Sequence, residues 1–121
     1  MPREARLVVH VPRDSAVERQ LESTERVSSG EVVLDPRPAD ANGRIAPPDV
    51  GDVVLSVPSP ETLTREPGEV RRVIDGAGAG ADPLVVVVEA AEELRDDALG
   101  VVLDAADRAE RPVVLHVAGE A

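Results

Sequence analysis

The stretch that decides the fold is PLVVVVEAAEELRDDALGVVLDAADRAERPVVLHV, residues 83–117. Its first part, LVVVVE (84–89), is apolar without alternation. That pattern marks a strand covered on both faces, as in parallel sheets. A helix follows, beginning at about Glu92 or Arg95 and ending at Ala109. Leu94, Ala98, Val101, Val102, Ala105 and Ala109 recur at helical spacing and form its inner stripe. Asp96, Asp97, Asp104, Asp107 and Arg108 fall largely on the water side. RPVVLHV (111–117) then reads as a closing strand.

Working outward, DVVLSV (52–57) is a strand and PSPETLTREP (58–67) a turn-rich lead-in to a helix over 67–77. Pro67 suits a first helical position, and Val70, Val73, Ile74 and Ala77 share one side. RLVVHVP (6–12) alternates as a strand, with Leu7, Val9 and Val11 on one face and Val8 and His10 on the other. Residues 14–27 read as one helix opened by a Ser15–Glu18 capping box. EVVLD (31–35) is a short strand. Residues 36–51, with four prolines and two glycines, form a long loop: a mobile or binding segment, or a join to an appended N-terminal unit. Alternating strands and helices predict one small α/β domain over residues 1–121: a layered sheet of about five mostly parallel strands with about three helices. The first two strands are alternatively a mixed edge. Right-handed crossovers would place the helices on the sheet faces.

Composition narrows function. The 121 residues carry 24 acidic and 13 basic side chains, a net charge of −11. Such a surface repels phosphate backbones and anionic lipid, so neither nucleic acid nor membrane is an expected partner. All the basic residues are arginine, a bias that suggests a GC-rich genome. Cysteine is absent, which excludes disulfides and thiolate chemistry. Phe, Tyr and Trp are absent too. Valine, leucine, isoleucine and alanine must fill the core, which predicts thin packing or support from another subunit. The apolar run near the N-terminus is too short for a signal peptide, and none is long enough to span a bilayer. A cytoplasmic location is expected.

The candidate sites each have a plain structural reading beside the functional one. Gly76, Gly78 and Gly80 follow a helix and enter a strand, the reverse of a dinucleotide fingerprint, and read as a helix terminator. His10 and His116 occupy matching strings, LVVHV and VVLHV. On neighbouring strands they would lie close, and with Asp14 or Glu120 could hold a metal; otherwise they are structural. Asp14, Asp35, Glu89 and Glu120 fall near strand exits, the usual ligand edge of an open α/β sheet, or are simply turn residues. Ser56 and Ser59 lack a nucleophile elbow. Glu92, Glu93, Asp96 and Asp97 cluster at the head of the long helix, where the helix dipole favours negative charge. They are either a solvated face or a surface for a basic partner.

The segments DVVLSVPSPETL (52–63) and RDDALGVVLDAADRA (95–109) resemble the STAS domain of the anti-sigma-factor-antagonist family. In that family a strand leads into a D-S-x-G-L-x-x-L motif that opens a helix. The resemblance covers about residues 50–118. Arg95 falls at the family's Asp, Asp96 at its phosphorylatable Ser and Ala98 at its Gly, while Leu99 and Leu103 keep apolar positions. The resemblance implies a protein-interaction module without the phosphorylation switch, Asp96 holding a fixed negative charge instead.

The leading expectation is therefore a non-enzymatic interaction or regulatory domain. It uses Glu92, Glu93, Asp96 and Asp97, binds a protein of basic character, and needs no cofactor. A homodimer is a further option. The alternatives are a small metal- or phosphate-dependent enzyme built on strand-end carboxylates and histidines, and a structural subunit of a larger assembly.

Overall fold

The computed structural model describes residues 7–120. Five strands, β1 (Leu7–Pro12), β2 (Val32–Arg37), β3 (Asp52–Val57), β4 (Leu84–Val88) and β5 (Val113–Val117), form one sheet in the order β2-β1-β5-β4-β3. Every pairing between these strands is parallel, including β1 with β2, so the mixed-edge alternative falls away. β1 lies inside the sheet, between β2 and β5, so β1 and β2 share one sheet with β3, β4 and β5.

Five helices connect the strands: α1 (Ala16–Glu22), α2 (Glu25–Ser28), α3 (Pro60–Arg65), α4 (Pro67–Asp75) and α5 (Asp96–Arg108). Two departures from the sequence reading raise the number above three. The helix expected over 14–27 breaks into α1 and α2. The hydroxyls of Ser23 and Thr24 donate to the carbonyls of Gln20 and Leu21, and the chain restarts with Thr24 as N-cap. The lead-in before Pro67 is itself helical, because Leu63 is fully buried against the core and repays the ordering of α3. A third departure lengthens β2 through Pro36 to Arg37; β2 is an edge strand, where a missing N–H is tolerated.

The order of the strands explains where the helices lie. The helical crossovers β1→β2, β3→β4 and β4→β5 each step one strand in the same direction along the sheet. With a common hand, such crossovers place all their helices on one face. Val17, Leu21, Leu63, Val70, Ile74, Leu99 and Val102 accordingly share one core with Leu7, Val9, Val11, Leu84, Val86, Val88, Val113, Leu115 and Val117. The opposite face carries a separate small cluster of Val8, Val85, Val87 and Val114 that no helix residue joins. The β2→β3 connection must cross the whole sheet in the reverse direction, and it does so as the proline-rich segment 38–51. It is tied down where Ile45 N–H donates to the Ala118 carbonyl at 2.9 Å and Arg44 bridges to Gly119. β4 is thus buried along its length, but by helices on one face and valines and a loop on the other. No helix among the described residues is long and apolar enough to cross a membrane.

Candidate functional site

On the helix-free face the parallel register lines up side chains in rows, one from each strand. The first row is entirely valine: Val33, Val8, Val114, Val85 and Val53. The next row, one step nearer the carboxyl ends, reads Asp35, His10, His116, Val87 and Ser56. Period-two alternation of each strand produces both rows. In β3 a bulge between Val53 and Leu55 absorbs one extra residue, so Val54 and Leu55 both pack toward the helices and Ser56 still reaches this face.

The chain's two histidines therefore meet. Their Nδ1 atoms are 3.0 Å apart, the rings lie edge to face at 81°, and both residues are buried. Arg37, two residues beyond Asp35 on the same side of β2, completes the group. Its guanidinium lies 3.2 Å from His10 Nε2 and 3.2 Å from Asp35 Oδ2, and 3.4 Å from Asp49 Oδ1. Guanidinium has donors only. His10 Nε2 must then accept, which places the His10 proton on Nδ1. That proton is donated to His116 Nδ1, which places the His116 proton on Nε2. His116 Nε2 is buried and has no hydrogen-bond partner, as is also true of Arg37 Nε.

Electrostatics agree with two neutral rings. Burial and then the Arg37 charge push the pKa of His10 down, against the smaller opposite pull of Asp35 and Asp49. For His116, burial, His10 and Arg37 together push it down to about 4, while the carbonyl of Ala46 pulls weakly the other way. Each ring's lone pair is already engaged, by Arg37 on His10 and by His10 on His116. The arrangement offers neither a free base nor a ligand nitrogen to a metal without first being rebuilt.

The other expected residues do not join this pair in one metal-binding cluster. Asp14 adopts φ 63° in the turn before α1, and its N–H donates to Glu18 Oε1. Ser15 caps Glu18 N–H as expected, but the reciprocal bond of the capping box is displaced by one residue. The Glu120 carboxylate accepts the N–H of Ala16 at the start of α1. Glu89 accepts from Ser56 Oγ at 3.0 Å and pairs with Arg44 at 3.2 Å. Gly76 ends α4 and Gly78 turns the chain with φ 74°, so the glycine run is a helix terminator. Ser59 precedes α3 as its N-cap.

Two cavities open near the carboxyl ends of the strands. One, of about 720 Å³, lies between segment 38–48 and the helix-free face, with His116, Val87, Ser56 and Glu89 on its floor. The other, of about 490 Å³, lies between α3 and the head of α5, walled by Glu61, Glu92, Glu93 and Asp97. Glu92, Glu93, Asp96 and Asp97 are all exposed. Asp96 is engaged by Arg26 of α2 through two bonds of 2.6 and 3.2 Å, which hold its carboxyl below the usual range. Glu93 pairs with Arg95 at 3.1 Å. Arg37, Arg44 and Asp49 were not anticipated as site residues. Comparison with protein-family models, with curated proteins and with solved structures returned no match.

Proposed function

We propose that this chain is a non-enzymatic interaction module that docks a basic protein segment on the acidic surface at the head of α5. The observation that carries the reading is the groove between α3 and α5, rimmed by Glu61, Glu92, Glu93 and Asp97, with Arg95 as the one cation among its lining residues. Asp97 sits in the first turn of the thirteen-residue α5, Glu92 and Glu93 lie in the segment just before it and Glu61 on α3. All four face water, so together they attract a cation-bearing partner over a distance and fix its orientation. Asp96 belongs to the same surface, but Arg26 already offsets its charge. Its position in the STAS-like segment is consistent with a docking rather than a catalytic use. A second copy of the chain would bring like charge to this groove, so a homodimer would have to use another surface. A cytoplasmic setting is part of the proposal.

The test is binding of a lysine-rich amphipathic helical peptide, followed by fluorescence anisotropy at low salt. Glu92→Arg with Asp97→Arg should weaken binding about tenfold, on the scale of removing two charge contacts of ~0.7 kcal/mol each. Circular dichroism of the variant should match the parent. Leaving Asp96 intact preserves its bond to Arg26. Equal affinity of parent and variant would rule the acidic groove out.

A further inference from the structure

The acidic groove leaves the larger cavity unexplained, and the cavity carries its own observation. His116 is 1 % exposed and lines the cavity, yet its Nε2 has no partner. A buried donor left unmatched costs about 1–3 kcal/mol, enough that folded proteins seldom keep one without a use. The relay from Arg37 through His10 makes this nitrogen an N–H rather than a lone pair. We propose that the cavity under segment 38–48 binds a small neutral molecule whose carbonyl oxygen accepts the hydrogen bond from His116 Nε2–H.

The remaining walls select that chemistry. Pro38, Ile45, Pro47, Val53 and Val87 supply an apolar lining. The chain has no aromatic residue other than its two histidines, so stacking on a flat ring is not what holds the ligand. Charge on the walls comes from Asp40 and Glu89 against Arg44. Arg44 spends its guanidinium on the Glu89 carboxylate and carbonyl, and Asp40 accepts the N–H groups of Asn42 and Arg44. An anion would meet a net negative lining with no free cation, and a cation would meet an N–H. A neutral ketone, ester or amide meets neither obstacle. The volume, about 720 Å³, lies in the ordinary range of small-molecule pockets.

Access runs past Ala46, whose carbonyl makes a weak contact with His116 that raises its pKa slightly but does not satisfy Nε2. Ala46 is exposed and is followed by Pro47 and Pro48, which have no N–H to anchor them. This short stretch is the part of the segment that must give way for a ligand oxygen to reach Nε2, while Ile45 stays bound to Ala118.

The experiment uses the full chain labelled with ¹⁵N-histidine at pH 7, titrated with cyclohexanone and N-methylpyrrolidinone. Methylenecyclohexane, of the same size but without an acceptor, is the comparator. The free protein should show His10 as the Nδ1–H and His116 as the Nε2–H tautomer. Either carbonyl compound should shift His116 Nε2 saturably and bind at least about tenfold more tightly than the comparator, the effect of one hydrogen bond. Four results overturn the proposal. They are a His116 Nδ1–H tautomer, an Nε2–H proton shift in the free protein that shows a hydrogen bond already made to the Ala46 carbonyl, no shift with either carbonyl compound, and equal affinity for the comparator. These residues are separate from Glu92 and Asp97, so failure here and failure of the docking reading are distinguishable.

Discussion

At the scale of single residues, two buried imidazoles bind one another instead of water, and this makes stability depend on pH. His116 titrates near 6.5 when unfolded and near 4 when folded, and His10 is lowered as well. Between those values the unfolded chain binds more protons, so stability rises with pH across the window and is lost as pH falls from about 6.5 toward 4. For His116 alone the full loss is about 3 kcal/mol, from 1.36 kcal/mol per unit. Acidification also relieves the repulsion of a chain with net charge −11, which acts in the opposite sense. The clean comparison is therefore His10→Leu with His116→Leu. Replacing both partners by apolar groups should leave stability at pH 7 within about 1 kcal/mol. Urea unfolding at pH 7 and pH 5 should then show the parent losing stability relative to the double variant; parallel losses would refute the histidine origin. The pair was partly legible in the repeated strings LVVHV and VVLHV, since matching positions on neighbouring parallel strands coincide. Arg37 was not, because Pro36 suggested that the strand had ended. Alternation continued through the proline puts Asp35 and Arg37 on one face, and it is Arg37 that fixes the tautomers.

At the scale of elements, hydrophobic spacing located all five strands and the two helices with the widest apolar stripes. It failed where local side-chain bonds or tertiary burial decided the outcome. Ser23 and Thr24 turn their hydroxyls back on the preceding turn and split α1 from α2, a competition that apolar periodicity does not register. α3 has one buried anchor, Leu63, and six residues, too few to show a stripe. The edge strand β3 has a further control in the residue before it. Gly51 has φ 69°, and an added Cβ would stand 2.1 Å from the carbonyl oxygen of Pro83. That same carbonyl accepts the Asp52 N–H at 2.9 Å, the first bond joining β3 to β4. Gly51→Ala combines a left-handed backbone with a clash against main chain, and should cost at least about 2 kcal/mol. Hydrogen exchange should show protection lost first in Asp52–Val57. A stability change under 0.5 kcal/mol would mean that the β3–β4 entry is looser than this contact implies.

At the scale of the whole molecule, winding in one direction produces a two-sided object. One face of the sheet holds five helices and nearly all the large apolar side chains; the other holds a valine row, a polar row and one returning segment. That asymmetry was not legible, since strand order is absent from local sequence pattern, and the apolar run of β4 suggested helices on both sides. Charge is distributed just as unevenly. The arginines at positions 26, 37, 44, 72, 95 and 111 are already held in ion pairs, while exposed carboxylates such as Glu92, Asp97 and Asp104 remain outside them. Most of these pairs are solvent-exposed and contribute little each. The long-range term is then the mutual repulsion of the unmatched carboxylates, which weakens the compact state relative to the expanded chain. Salt screens that repulsion over ~10 Å at 0.1 M and ~3 Å at 1 M. Raising sodium chloride from 0.02 to about 0.5 M should therefore raise Tm by several degrees, the shift expected for about 1 kcal/mol in a domain of this size. Scanning calorimetry at the two salt concentrations measures it. A lower Tm at high salt would show that the arginine pairs outweigh the repulsion. The acidic groove at the head of α5 would then be more fully neutralised than a docking surface for a basic partner requires.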